Sequence, residues 1–232
     1  MGRLFDSVAT KAEHHADLRA REEDLTPRGV VWAVLQHLVL ELKREAPRTI
    51  LDVCAGYGVW SSEAGRLWPM AKITAVELDG RKEDALGRWA NEVVIGDWTE
   101  ALRCRQYDLA IGNPHFSALT HEDPSQSMPA RLLERARWVL LFHQEQSFQK
   151  STAGCRIWRE YPPAAVFAVP GSVRFRVGEN PETGKRYGAD SRCYQATLWK
   201  RGHAGPAKLR MLPWLTSEAR RWTVQPGAEV DA

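Results

Sequence analysis

Short apolar runs, closed by glycine or an acidic residue, alternate with amphipathic stretches along most of the chain. Thr26-Pro27 opens the periodic run GVVWAVLQHLVLELKRE, and proline behind a threonine cap predicts a helix from there to about Glu45, stopping before Pro47. TILDVC (49–54) runs into AGYG, the pattern of a buried strand entering a glycine turn. VWSSEAGRLW then predicts a helix, KITAVE (72–77) a second strand and Arg81–Asn91 a second helix of the same unit. EVVIG (92–96) predicts a third strand ended by Asp97, Glu100–Cys104 a short helix or turn, and YDLAIG (107–112) a fourth strand ending at Asn113. Beyond a polar loop (Ser117–Ser127), MPARLLERAR predicts a helix and WVLLFH a fifth strand. AAVFAVP (164–170) and CYQATLW (193–199) are two more strands. Their connector, RFRVGENPETGKRYGADSR, reads as a long hairpin loop and makes the last pair antiparallel.

Strand and helix alternating in this way imply an α/β fold: a Rossmann-like, doubly wound, mostly parallel sheet of about seven strands, the last antiparallel, with helices on both faces. At 232 residues the chain suits one domain with a sizeable core. Its expected parts are a polar lead-in (1–24), a cofactor-binding and catalytic core (25–149), a basic part that completes the sheet and contacts substrate (150–222), and a tail (223–232). Hydrophobic residues make up 44% and charged residues 26%, an ordinary globular balance. No stretch approaches the ~20 apolar residues that span a bilayer. The charged N-terminus is no signal peptide, so a cytoplasmic protein without a membrane partner is expected. Cys54, Cys104, Cys155 and Cys193 are widely spaced, and imply reduced thiols with neither a zinc site nor a disulfide framework. Charge is uneven: residues 1–149 carry 18 Lys/Arg against 22 Asp/Glu, and residues 150–222 carry 14 against 5. A basic C-terminal third fits a polyanionic partner or a solvated basic face.

Ligands of an open α/β sheet sit outside the carboxyl ends of its strands, so the residues after the first four strands should converge. Gly56-x-Gly58 lets a ligand approach backbone N–H groups at a helix N-terminus. A GxG alone belongs equally to nicotinamide or flavin enzymes. Two features argue against those: Ser61 stands where their third glycine would be, and Asp52 at the strand end would repel a pyrophosphate. Asp52 suits a ligand that presents a cation there, or else caps the turn. Glu77 can accept both hydroxyls of a ribose, or is a surface glutamate at a strand end. Asp97 can accept an adenine amino group with Trp98 packed on the ring, or simply caps the WTEAL turn.

Asn113-Pro114-His115-Phe116 follows the fourth strand directly. Asn-Pro is ordinarily a turn signal. Here an aromatic follows at the right spacing and the cofactor motifs stand in order before it. An exocyclic amine conjugated to a ring or carbonyl is a poor nucleophile because its lone pair is delocalised. Two acceptors aimed at its N–H bonds, the Asn113 side-chain oxygen and the Pro114 carbonyl, make the nitrogen more tetrahedral and free that pair. Phe116 would stack on a flat substrate and hold it in line, which is much of the catalytic advantage. A base in a duplex would first be flipped out. His115 adds a titratable group whose role is spacer, phosphate contact or proton acceptor.

In this order, the motifs over about residues 24–145 resemble the class I S-adenosylmethionine-dependent methyltransferases. The resemblance implies S-adenosyl-L-methionine as cofactor, held by Asp52, Ala55, Gly56, Gly58, Glu77 and Asp97. Thr26-Pro27 looks like the "TP" element that amino-directed nucleic-acid methyltransferases place near the methionine carboxylate. The tetrapeptide resembles the Asn-Pro-Pro-Phe/Tyr signature of DNA adenine-N6 methyltransferases and of relatives acting on guanine N2 in RNA or glutamine in proteins; His115 departs from its usual proline. Pro170–Phe175, Gly188–Arg192 and Tyr194–Trp199 look like the ending of small phage-type DNA adenine methyltransferases. That likeness makes Arg174, Arg176, Lys185, Arg186 and Arg192 phosphate contacts and Tyr187 or Tyr194 a stacking surface. Tyr194, Ala196 and Leu198 also fit one face of a core strand. The expected activity is adenine-N6 methylation of DNA. The alternatives are the same chemistry on RNA or a protein glutamine, and a catalytically silent nucleic-acid-binding protein on this fold.

Overall fold

The computed structural model describes residues 26–43, 45–103, 105–173, 175 and 192–214, with Phe116 and Ser117 described by backbone alone. The lead-in, the tail and the candidate contacts Arg174, Arg176, Lys185, Arg186 and Tyr187 lie outside the described residues.

The chain enters through helix α1 (Arg28–Glu41). Strand β1 (Thr49–Val53), helix α2 (Val59–Leu67), strand β2 (Lys72–Glu77), helix α3 (Glu83–Leu86) and strand β3 (Glu92–Ile95) follow. Helix α4 (Trp98–Ala101), strand β4 (Tyr107–Gly112), helix α5 (Phe116–Leu119), helix α6 (Met128–Arg135) and strand β5 (Ala136–Gln144) continue the alternation. Helix α7 (Thr152–Glu160) precedes strands β6 (Ala165–Val169), β7 (Tyr194–Lys200) and β8 (Lys208–Met211). The eight strands form one sheet in the order β3-β2-β1-β4-β5-β7-β6-β8. Strands β1 to β5 are parallel, and β7 runs antiparallel between β5 and β6. The doubly wound, mostly parallel sheet matches the sequence expectation, as does the antiparallel β6–β7 pair.

Several boundaries differ for visible reasons. Helix α1 stops at Glu41 because Lys43 adopts a left-handed φ of 52°. The helix expected over Arg81–Asn91 is a 3₁₀ turn (Gly80–Lys82) and the four-residue α3. Past it the Asn91 side chain turns back to accept the Ile73 N–H at 2.8 Å, an alternative to continuing the helix. β5 begins at Ala136, two residues before the expected run, because α6 ends at Arg135. The eighth strand, β8, lay outside the expected seven and runs parallel to β6. Its residues are all exposed, so no buried face marks it in the sequence. Lys208 and Arg210 instead reach Glu41 of α1 at 2.7 and 3.2 Å. Burial alone would raise the Glu41 pKa, but these two hydrogen bonds and charges outweigh it and hold the carboxyl below its ordinary value. Helix α7 was also unforeseen; Ser151 caps it by accepting the Gly154 N–H at 3.0 Å.

Two apolar layers sandwich the sheet. On one face α1 and α2 pack Val30, Leu35 and Trp60 onto Ile50, Ile111, Phe142 and Phe167. On the other, α6 and α7 pack Leu132 and Ile157 against Val139, Leu141 and Trp199. β1 lies between β2 and β4, so the winding reverses at the β1/β4 gap, the place where α/β sheets open a crevice at their carboxyl ends. Val53 is paired with Gly112 there, and a Cβ on Gly112 would stand 2.2 Å from the Val53 carbonyl oxygen. That oxygen is backbone of a central strand and cannot step aside. Gly112→Ala is expected to destabilise the fold by about 1–3 kcal/mol. Urea unfolding measures it, and an unchanged midpoint would contradict the close β1–β4 approach.

Candidate active site

The turn after β1 carries unusual backbone. Cys54, Gly56 and Gly58 have φ of 55°, 57° and 82°, and a non-glycine residue held there is a strained one. At Gly58 the space is closed as well, since a Cβ would meet Trp89 at 2.8 Å. Gly56 is different: a Cβ there would meet nothing within 4 Å, so its surface stands open to a ligand.

Three strand ends bring their acids to this turn. Burial is the main reason the Cys54 thiol is pushed up to about 12, and the charges of Glu77, Asp52 and Asp97 add to it. Cys54 therefore stays a thiol at neutral pH, and its surroundings show that all three predicted carboxylates converge around it. Glu77 accepts the Gly56 N–H at 2.8 Å through one oxygen and the Asp79 N–H at 3.2 Å through the other. Lys82 stands 3.8 Å away. Each oxygen keeps a lone pair, so a diol can still be accepted. The Gly56 N–H, by contrast, is already engaged by a carboxylate, which disfavours a pyrophosphate at this turn.

Asp52 is fully buried. One carboxylate oxygen, Oδ2, accepts the Ser61 N–H at 2.9 Å and the Ser61 hydroxyl at 2.6 Å. Ser61, noted in the sequence only as a missing glycine, is thus the partner that holds this acid against the first turn of α2. The other oxygen, Oδ1, is buried without a hydrogen-bond partner among the described residues. Desolvation raises the Asp52 pKa to about 7; the two Ser61 hydrogen bonds oppose the rise and Glu77 reinforces it. The capping reading and the ligand reading of Asp52 therefore both describe it, one for each oxygen. At Asp97 the cap is what is seen, because its Oδ1 accepts the Thr99 N–H at 2.9 Å. Trp98 is half-buried against the α6 layer, and Ala55 is buried beside β2 and α3.

Asn113 leaves β4 on the same face as Ile111, because alternate residues of a strand share a face. Its side-chain Nδ2 donates to the Thr26 hydroxyl at 3.0 Å. Two motifs 87 positions apart thus meet directly, and the bond turns the amide so that Oδ1 occupies the opposite edge. Thr26 is buried, and Pro27 starts α1 by accepting the Val30 and Val31 N–H groups through its carbonyl. Arg28, next in line, is buried too and is paired with Glu63 of α2 at 2.5 Å. Sequence reading passed over this pair, although a charged residue directly behind the cap of an apolar helix is a usable sign. It ties the Thr26 end of α1 to the helix that follows the glycine turn. Pro114 is buried, whereas His115 is exposed and accepts the Ala118 N–H through its carbonyl at 2.9 Å.

Of the expected substrate contacts among the described residues, Arg192 is exposed just ahead of β7. Tyr194 is placed otherwise than a base-stacking role requires. It is 3% exposed and stacked on Phe142 at 5.6 Å with an interplanar angle of 4°, with Phe175 at 4.6 Å on it as well. It is a core aromatic on the face shared with Ala196 and Leu198, because β7 is an interior strand with both neighbours filled. Cavities of about 310 and 430 Å³ flank Arg137 and Trp138. They lie at the amino end of β5, across the sheet from the converging acids.

No family model matches the chain. Among curated proteins it is 27% identical over 111 residues to the release factor glutamine methyltransferase of Xylella fastidiosa strain 9a5c. That match covers 45% of this chain and 40% of the relative, so the chain spans well under half of the curated protein it resembles. Among solved structures it superposes on the plantazolicin methyltransferase BpumL, crystallised with SAH, at a TM-score of 0.51 and 13% identity over 85% of this chain and 92% of that one. A candidate RNA methyltransferase from Pyrococcus horikoshii gives a TM-score of 0.51 at 20% identity, covering 73% of this chain and 83% of that one. The fold is that of the class I S-adenosylmethionine-dependent methyltransferases.

The Asp52 carboxyl gives this end of the molecule a pH signature. Its pKa in the folded state exceeds the ordinary aspartate value of about 3.9, reaching about 7. Its contribution to stability is therefore complete below about pH 4, is lost as pH rises towards 7, and stays level beyond. Asp52→Asn should gain stability relative to the parent across that window, read from urea midpoints at matched pH. Parallel midpoint curves for the two proteins would contradict the raised pKa.

Proposed function

We propose that this chain is an S-adenosylmethionine-dependent methyltransferase that modifies an exocyclic amino group, with adenine N6 in DNA as its substrate. The observation that carries the amine assignment is the Asn113–Thr26 hydrogen bond. It presets the one side chain of the Asn-Pro pair whose oxygen must face a substrate N–H.

The residues at the β1/β4 crevice fit the cofactor. The unpartnered Asp52 Oδ1 is a buried carboxyl oxygen suited to the ammonium of the methionine moiety, whose positive charge would favour the ionised acid. Gly56 leaves room for close approach, and the two oxygens of Glu77 would accept the ribose hydroxyls. Asp97 and Trp98 would take the adenine. When bound, the cofactor supplies an electrophilic methyl group on a sulfonium.

Everything else falls to the chain. Asn113 Oδ1 and the Pro114 carbonyl accept the two amine hydrogens, localising the nitrogen lone pair and aiming it. Thr26 keeps Asn113 in that orientation, and Phe116 receives the flat face of the substrate. The exposed His115 would serve as a spacer or a contact to the substrate. The amine proton leaves to water once the nitrogen has been methylated, so no buried base is required. DNA is favoured by the charge of residues 150–222 and by the Asp190–Trp199 pattern, with Arg174, Arg176, Lys185, Arg186 and Arg192 as phosphate contacts.

A second reading, the amide of a protein glutamine, is favoured by the name of the Xylella relative. A glutamine side chain has the same kind of conjugated, poorly nucleophilic amine, so the two readings share every catalytic residue.

Asn113→Ala is expected to lower methyl transfer at least a thousandfold while cofactor affinity stays within a few fold. Thr26→Val, which removes only the orienting acceptor, is expected to lower kcat roughly ten- to a hundredfold. Transfer rates with tritiated cofactor, set beside calorimetric cofactor binding, decide both. Wild-type transfer by Asn113→Ala would sink the amine assignment.

A further inference from the structure

Strand β5 carries a buried polar group that neither the fold nor the chemistry above uses. Gly112 of β4 pairs with Leu141 of β5, so the next residues outward, Asn113 and Phe142, come side by side. Ile111, Leu140 and Phe142 belong to one apolar layer. Gln144, two residues past Phe142, therefore emerges on that layer's face, the face of Asn113 and Asp52. At ~3.3 Å per residue it stands about 6–7 Å further toward the carboxyl edge. Across the antiparallel ladder it faces Tyr194 of the same layer.

The Gln144 side-chain Nε2 is buried and has no hydrogen-bond partner among the described residues. Buried amide donors are nearly always paired, and each exception calls for a cause. Its sequence neighbour shows the contrast: His143, on the opposite face, is fully buried with both ring nitrogens bonded, one to the Gln144 carbonyl and one to Thr197. Polar groups a residue apart thus have opposite fates, and the unpaired one is on the Asn113 side.

Substrate chemistry supplies the missing partner. In adenine, as in the amide of a glutamine, the target amine is attached to a carbon that also bears a doubly bonded nitrogen or oxygen. An acceptor atom therefore always lies beside the target nitrogen. Asn113 and Pro114 offer only acceptors, which bind the amine and leave that neighbouring acceptor unmatched. We propose that Gln144 is the specificity residue of the substrate site: its Nε2 donates to the ring nitrogen or carbonyl oxygen conjugated with the target amine. This assignment rests on the amine-methyltransferase reading and adds to it the second half of an amide- or amidine-shaped recognition pattern. A donor there also rejects substrates that carry a hydrogen in place of the acceptor, since the buried amide would remain unpaired.

Gln144→Leu keeps the volume and removes the donor. It is tested in the full chain, together with Asn113→Ala, on whichever of separate DNA, RNA and protein pools the parent labels with tritiated cofactor. The expected result is a KM for that pool raised roughly five- to twentyfold, with cofactor affinity unchanged and the urea midpoint equal to the parent's or higher. A KM within twofold of the parent, or a lowered midpoint marking a structural role, overturns the assignment while Asn113→Ala remains inactive. Activity retained by Asn113→Ala, or no labelling of any pool by the parent, overturns the underlying reading and this assignment with it.

Discussion

At Gly112, β4 approaches β1 so closely that the chain leaves no room for a side chain beside the Val53 carbonyl. The arrangement of the site follows from it. Because the two strands meet so closely at the point where the winding reverses, the residues that leave them diverge around one crevice. Asp52 and the glycine turn stand on one side, and Asn113-Pro114 on the other. β2 and β3 then bring Glu77 and Asp97 to the same end of the sheet, and β5 brings Gln144 to that end as well.

Around that crevice the structure keeps polar groups in places where burial works against them. Asp52 is deprived of water, is only half satisfied by Ser61, and sits near Glu77. Cys54 holds a left-handed backbone conformation. The Arg28–Glu63 pair is buried between α1 and α2, and breaking one member of such a pair costs about 3–5 kcal/mol. Strain and unsatisfied charge of this kind collect where a ligand completes the site. The helices meanwhile fix the approach: α1 carries Thr26 to Asn113, and the buried ion pair locks α1 to the helix that begins at the glycine turn.

Much of this was legible in the chain itself. The parallel strands announced themselves by apolar runs ending in glycine or acid, and the acids converge because strand ends must. Where the reading failed, nonlocal effects were responsible. β8 has no buried face of its own and is held by Lys208 and Arg210 reaching α1, a contact that no local pattern encodes. Tyr194 has the composition of a stacking aromatic, and only the filling of both neighbouring strands makes it core. Asn113 and Thr26 were each suspected separately; that one donates to the other is a fact of packing across 87 positions. The donor on Gln144 was invisible, since an ordinary polar residue at a strand end becomes notable only when its amide is found buried and unpaired.

Where the methyl group goes decides the chemistry. Incubating the chain with cofactor carrying a ¹³C-methyl label and with separate DNA, RNA and protein pools, then digesting each and locating the label by mass spectrometry and NMR, answers this directly. The label is predicted on nitrogen, as N6-methyladenine from DNA. Label on oxygen, sulfur or carbon, or on no pool at all, would contradict the assignment of Asn113 and Pro114 to an exocyclic amine.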